Sequence, residues 1–181
     1  MESERRSGAL TRRQFVAAGA AGGVAAAIGC KAGGNGNGEF LSAAQSRTLG
    51  AICDQIVPAD DFPSATQAGV LTYIDRQLAR HYRRFQNVYR DGLEQADAIS
   101  RKGCGQNLAD ATPAQQLQAV TDLSQQDSAF FNLVRNHTFE GYYGSPRHGG
   151  NRDAQSWRML GLAEPPNLGR AQYDLRKGSN S

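Results

Sequence analysis

His81, His137 and His148 are the imidazoles available for metal ligation or general-base work. No two of them share a helix at ligand spacing and no HExxH occurs, so a metal site would require the fold to gather three separate segments. Structural histidines are the plainer reading. Asp60-Asp61 supplies two carboxylates, as acid–base catalysis would need. Adjacent residues in an extended loop point apart, however, and loop solvation or capping of the next helix explains them better. Cys53 falls on an apolar helical face, where a thiol serves as a small buried hydrophobe. Cys104, between Gly103 and Gly105, is expected in an exposed loop. There a lone thiol in an oxidising compartment invites an intersubunit disulfide, with an unpaired or intrachain thiol as the alternative. GxSxG, CxxC and GxxxxGK[ST] are all absent, and the three glycines of residues 144–150 follow no strand pattern. A nucleophile elbow, a zinc ribbon, a redox pair and a phosphate loop are therefore unsupported. No catalytic set, metal or cofactor is expected in this chain.

The stretch from His137 to Leu162, HTFEGYYGSPRHGGNRDAQSWRMLGL, is dense in Tyr, Phe, Trp, Arg and Gly. Aromatic and arginine side chains carry large contact area with a polar handle, the chemistry of a protein interface. The same residues would also cap the core of a small helical domain. On residue types alone both readings stand.

The elements that would position these residues read as helices. No period-two alternation runs for a useful length. Leu49, Ile52, Cys53 and Ile56 fall at i, i+3, i+4 and i+7, one face of a helix, and Ser42 with Gln45 forms a capping-box pattern before it. Pro58 ends that helix, and residues 59–64 read as a loop. A second helical region begins near Thr66 and carries Leu71, Ile74, Leu78, Tyr82, Phe85 and Tyr89 at spacings of three or four, running to about Lys102 with room for a break. Thr112-Pro113-Ala114-Gln115 is a further helix start, with Leu117, Val120 and Leu123 along one edge. Another helix opens at Asp127 or Ser128 and aligns Phe130, Leu133, Val134, His137 and Gly141. A short helical stretch near Asp153–Leu160 holds Trp157, and the tail from Pro165 has little apolar content. The expected fold is all-α, a small single-domain helical bundle with a Gly- and aromatic-rich C-terminal segment.

The N-terminus has a different character. Arg12-Arg13 precede Phe15-Val16, and residues 16–29 carry no charge. This is a basic region followed by a short, mildly apolar one, similar to a twin-arginine export signal. Ala27-Ile28-Gly29-Cys30 resembles a lipoprotein box, so Cys30 is a candidate for lipidation; cleavage after Ala27 with an unmodified Cys30 is the alternative. The Gly- and Asn-rich run after Cys30 has the composition of a tether. The expected organisation is a signal over residues 1–29, a tether over 30–40, a helical domain over 41–163 and an extended tail over 164–181. The 181 residues carry a formal net charge of +3, and Arg5, Arg6, Arg12 and Arg13 against Glu2 and Glu4 place +2 of it in the signal. A nearly neutral remainder leaves no basic footprint for nucleic acid.

Three blocks together resemble a known family. They are the leader with Arg12-Arg13; Leu49 to Val70, with Ile56-Val57-Pro58-Ala59-Asp60-Asp61 and Ala68-Gly69-Val70; and Glu140-Gly141-Tyr142-Tyr143-Gly144 with Gly149-Gly150-Asn151-Arg152 and Trp157-Arg158-Met159-Leu160-Gly161. Their order is similar to that in the gluconate 2-dehydrogenase subunit 3 family, the small subunits of membrane-bound flavin-dependent sugar and sugar-acid dehydrogenases. The resemblance implies a non-catalytic accessory subunit. It implies a partner: a flavoprotein large subunit of the glucose–methanol–choline type, which holds the FAD and lacks an export signal. It further implies joint export of the folded pair to the periplasm, and in many cases a multihaem cytochrome c subunit that completes a membrane-attached complex.

The combined expectation is a periplasmic, membrane-attached accessory subunit exported through Arg12 and Arg13. Its expected partner surface contains Tyr142, Tyr143, Asn151 and Trp157. Two rivals remain. One is a stand-alone lipoprotein binding module. The other is a small hydrolase using His81, His137 and His148 as metal ligands, or Cys104 with a histidine.

Overall fold

The computed structural model describes residues 38–162. The expected signal with Arg12 and Arg13, the tether through Asn37 with Cys30, and the tail from 164 lie outside the described residues. Within them, six α-helices pack around one core and no strand forms: α1 (Ala43–Ile56), α2 (Val70–Ala79), α3 (Gln86–Cys104), α4 (Pro113–Gln126), α5 (Ser128–Tyr143) and α6 (Gln155–Met159). The fold is all-α.

Local chemistry sets most of the helix starts. Ser42 Oγ accepts from the Gln45 N–H at 3.2 Å, and Gln45 Oε1 accepts from the Ser42 N–H at 3.0 Å, which completes the capping box of α1. Thr112 and Gln115 do the same for α4, with Pro113 in its first turn, where a missing N–H costs nothing. Asp127 Oδ1 caps α5 by accepting from the Phe130 N–H. The loop between α1 and α2 is held from inside: Asp54 accepts from both the N–H and the hydroxyl of Thr66, at 2.8 and 2.6 Å.

The apolar stripes meet in a single core. Leu49, Ile52 and Cys53 of α1 face Val70, Ile74 and Leu78 of α2, Tyr89 and Leu93 of α3, Leu123 of α4, and Phe130 and Val134 of α5. Burial of this kind stabilises by roughly 1.5–3 kcal/mol per large side chain.

The region from Thr66 to Lys102 is two helices rather than one. α2 starts only at Val70 and ends at Ala79; a 3-10 turn over Arg83–Phe85 then leads into α3. The break is compensated locally. Gln86 Nε2 donates to the Leu78 carbonyl at 2.9 Å and Arg83 Nε to the Ala79 carbonyl at 2.8 Å, covering acceptors that a helix end leaves open. The break also turns the Tyr82 ring onto His137, with centroids 4.4 Å apart and planes 12° from parallel. At the far end of α3, Cys104 is not in an exposed loop. It is the last residue of the helix, half-buried, with its sulfur 3.6 Å from Ser100 Oγ. Gly103 continues the helix, and Gly105, at φ +77°, ends it.

Candidate functional site

The side chains that could carry catalysis are dispersed over the described domain. His81 is exposed in the α2–α3 break, and His148 is exposed in a 3-10 turn after α5. His137 is buried on α5, where its Nδ1 shares a 2.9 Å hydrogen bond with the Tyr89 hydroxyl and its ring lies between Tyr82 and Tyr89. Burial holds its pKa below the ordinary histidine value. Among the described residues, no group of three His, Cys, Asp or Glu side chains is arranged to hold a metal ion. Burial pushes the Cys53 thiol up to about 12, and its sulfur rests 3.3 Å from Thr138 Oγ1. So protonated a thiol is a packing group, not a nucleophile. Asp60 accepts from the Phe62 N–H at 2.8 Å, which commits it to the loop turn.

The C-terminal block forms a built end of the bundle. An α-helix leaves its last carbonyls without intrahelical partners. At the end of α5 one of these, and the carbonyl of the cap residue Gly144 that follows, are taken by side chains from the returning segment. Trp157 Nε1–H donates to the Tyr143 carbonyl at 2.7 Å, and Asn151 Nδ2–H donates to the Gly144 carbonyl at 2.9 Å. Asn151 Oδ1 also accepts from the Ser156 N–H at 3.0 Å, and Arg152 N–H reaches back to the Ala68 carbonyl at 2.9 Å. Asn151, Asp153 and Ala154 all have positive φ, at 43°, 56° and 52°. Each such position costs on the order of 1 kcal/mol or more, so the segment keeps its shape because these bonds hold it.

This geometry corrects half of the expected docking set. Asn151 is fully buried and Tyr142 is 3% exposed, its hydroxyl donating to the Pro63 carbonyl at 2.8 Å. Both are internal struts and present no surface to a partner. Tyr143, 41% exposed, and half-buried Trp157 are at the surface.

Around them lies an apolar band that the sequence reading missed. Phe139 is one helical turn before Tyr143 on α5, with ring centroids 6.3 Å apart, and both are exposed. On one side Phe62, Pro63, Gln155, Arg158 and Met159 line an open groove of about 500 Å³. On the other, Phe139 joins Ile56, Leu117, Val120 and Phe131 in a second groove of about 340 Å³, whose polar side is Gln55, Thr121, Ser124 and Arg135. Leu117, Leu160 and Leu162 are more than half exposed. A signal for the band existed: Phe139 and Tyr143 stand at i, i+4, off the core stripe of Phe130, Val134, His137 and Gly141. An apolar pair on the outer face of an amphipathic helix requires a partner or remains an uncovered patch.

On the neighbouring flank of α5, the exposed carboxylate of Glu140 ties three elements together. Glu140 Oε2 accepts from the Tyr73 hydroxyl at 3.1 Å and the Tyr82 hydroxyl at 2.9 Å, linking α2, the α2–α3 break and α5. Burial, reinforced by the Glu140 charge, raises both phenols above their usual range, so both stay protonated as donors. The outer face of α5 is thereby carried on a braced helix.

The family described as gluconate 2-dehydrogenase subunit 3 matches residues 43–163, about two thirds of the chain and nearly all of the described helical domain. Comparison with curated proteins and with solved structures gives no match. With its capped helices and its built aromatic end inside the matched region, the chain belongs to the gluconate 2-dehydrogenase subunit 3 family.

Proposed function

We propose that this chain is a non-catalytic accessory subunit that binds a flavin-dependent sugar or sugar-acid dehydrogenase of the glucose–methanol–choline type. It supports folding of that large subunit and its export through the twin-arginine signal at Arg12 and Arg13. The FAD belongs to the large subunit. A multihaem cytochrome c subunit completes the complex at the periplasmic face of the membrane, with Cys30 as the lipid attachment point.

The observation that carries this reading is the apolar band over Phe139, Tyr143, Trp157 and Leu160. It is aromatic and rigidly backed, and nothing in the described domain covers it. Burying large aromatics in a partner's pockets is the usual source of interface energy. Membership in a dehydrogenase subunit family supplies the class of partner.

The test is co-expression of the chain with the flavoprotein of the same complex. With this chain, the flavoprotein is expected in the periplasm, loaded with FAD and active; without it, inactive or retained in the cytoplasm. Replacing Arg12 and Arg13 by lysine should strand both chains together. A flavoprotein exported and active on its own would refute the proposal.

A further inference from the structure

The described domain begins against its most basic surface. From Arg76 to Arg90 the chain carries Arg76, Arg80, Arg83, Arg84 and Arg90, with His81, and no acid. Three of these arginines hold the entering chain. Arg80 Nη2 lies 3.3 Å from both carboxylate oxygens of Glu39, and Arg76 Nε lies 3.9 Å from one of them. The Arg90 guanidinium stands 5.3 Å over the Phe40 ring. The acids at this point are occupied. Asp75 accepts the backbone N–H groups of Glu39, Phe40 and Leu41 at 2.6, 3.0 and 2.7 Å, and Glu39 is shared between two arginines.

Against the five guanidinium groups stand the carboxylates of Glu39, Asp75 and Glu140, the last bonded to the Tyr82 hydroxyl of the same turn, which leaves an excess of positive charge facing outward. The side chains of Arg76 and Arg80 are 45% and 62% exposed even in their ion pairs. Arg83, Arg84 and Arg90 are exposed and have no carboxylate partner among the described residues. Arg83 is steered by its bond to the Ala79 carbonyl, and Arg84 lies 4.6 Å over the Phe85 ring. These restraints fix where two of the free charges sit. Asp91 and Glu94 lie further along α3 and do not interrupt the turn.

The position of this face matters because of what precedes it. Cys30 stands eight residues before Gly38. Eight residues reach at most about 28 Å at full extension. A chain attached at Cys30 therefore keeps the Glu39–Phe40 entry point, and the arginines around it, close to whatever surface holds the anchor.

We propose that the arginine face at the α2–α3 turn, centred on Arg80, Arg83 and Arg84, docks on an anionic phospholipid surface. Guanidinium groups match phosphate by charge and by paired N–H geometry. A patch of this kind near an anionic leaflet adds roughly five-fold in binding per residue. The docking would leave the aromatic band on α5 for the protein partner. The proposal takes from the functional reading that the domain works at a membrane with Cys30 as its anchor.

Vesicle flotation of the full-length chain tests it, with phosphatidylcholine vesicles containing or lacking about 30% phosphatidylglycerol. Three chains are compared: wild type, Arg80→Glu/Arg83→Glu/Arg84→Glu, and the same three positions changed to lysine. The N-terminal segment is common to all three, so differences between them report on the face. Binding to the anionic vesicles should fall at least about 100-fold in the glutamate chain and persist in the lysine chain. A milder pair, Arg83→Gln/Arg84→Gln, reads the same effect should the triple reversal unfold. Cys30→Ser removes the anchor candidate while leaving the arginine effect in place, so loss of the lipid and loss of the face are distinguishable. Equal flotation of wild type and glutamate chain on anionic vesicles would overturn the proposal. So would unchanged flotation combined with loss of the flavoprotein from the glutamate chain, which would assign the face to an acidic protein surface instead.

Discussion

The indole N–H of Trp157 donates a 2.7 Å hydrogen bond to the carbonyl of Tyr143, the last residue of α5. The bond connects a capping need to a surface: it satisfies an orphan carbonyl and sets Trp157 beside the exposed Tyr143 ring. Trp157→Phe retains the ring and loses the donor. It should cost about 1 kcal/mol of stability, the net worth of one hydrogen bond. Trp157→Ala also removes the contact area and should weaken flavoprotein capture at least ten-fold. Asn151→Ala behaves differently. It orphans the half-buried Gly144 carbonyl and the buried Ser156 N–H and loosens a positive-φ segment, so it should cost about 2–4 kcal/mol and lower the melting temperature before it affects capture. Thermal melts run beside co-purification separate the two.

Phe139 and Tyr143 provide the sharper test of the docking band. Both are about 40% exposed and neither is part of the buried core, so the isolated fold has little use for their outer ring faces. Phe139→Glu and Tyr143→Glu should leave the melting temperature within a few degrees of wild type, as surface changes do. Each should reduce complex formation by at least ten-fold if its ring fills a partner pocket. Co-purification with the flavoprotein at wild-type yield by the double variant would place the interface elsewhere.

The features legible in the sequence are those whose causes are local. The capping boxes at Ser42/Gln45 and Thr112/Gln115 lie within four residues, and both formed as read. The stripe Phe130, Val134, His137, Gly141 was visible because its period is the helix's own. The α2–α3 break has a distant cause: Tyr82 stacks on His137 and bonds to Glu140, both over fifty residues away, and nothing in residues 79–86 announces either partner. Cys104 reads as a loop residue because Gly103 and Gly105 look alike in sequence, while only the second adopts positive φ. The docking set divided for a similar reason. Tyr142 and Tyr143 are the same residue type side by side, and a helix turns one inward to Pro63 and the other outward.

Gly92 on α3 and Phe130 on α5 test the tightness of the core. A Cβ built on Gly92 would overlap the Phe130 ring, and the ring is buried with nowhere to retreat. Gly92→Ala should therefore destabilise by about 1–3 kcal/mol despite alanine's higher helix propensity. Adding Phe130→Leu should recover part of that loss. The coupling in a double-mutant cycle measured by urea unfolding should be at least about 0.5 kcal/mol, as expected for residues in contact. Additive effects would mean that the two helices are further apart than described.

His137 makes the bundle sensitive to acid in a defined window. Burial lowers its pKa in the folded state, with the Glu140 charge opposing and the Arg84 charge assisting. The unfolded chain binds a proton near the ordinary histidine value of about 6.5. Above that pH both states are neutral and the full stability is present. As pH falls through it, the unfolded state takes up the proton first, and stability declines until pH passes below the depressed folded value. Protonation also ends any acceptor role of Nδ1 toward the Tyr89 hydroxyl, and it leaves a charge between the rings of Tyr82 and Tyr89. Unfolding free energy measured from pH 7.5 to pH 5 should therefore fall in wild type. A His137→Gln variant, less stable at pH 7.5, should show a markedly flatter profile over the same range, because the titrating group has been removed. A wild-type profile that stays level between these values, or an equal slope in the variant, would show that His137 is not the group responsible.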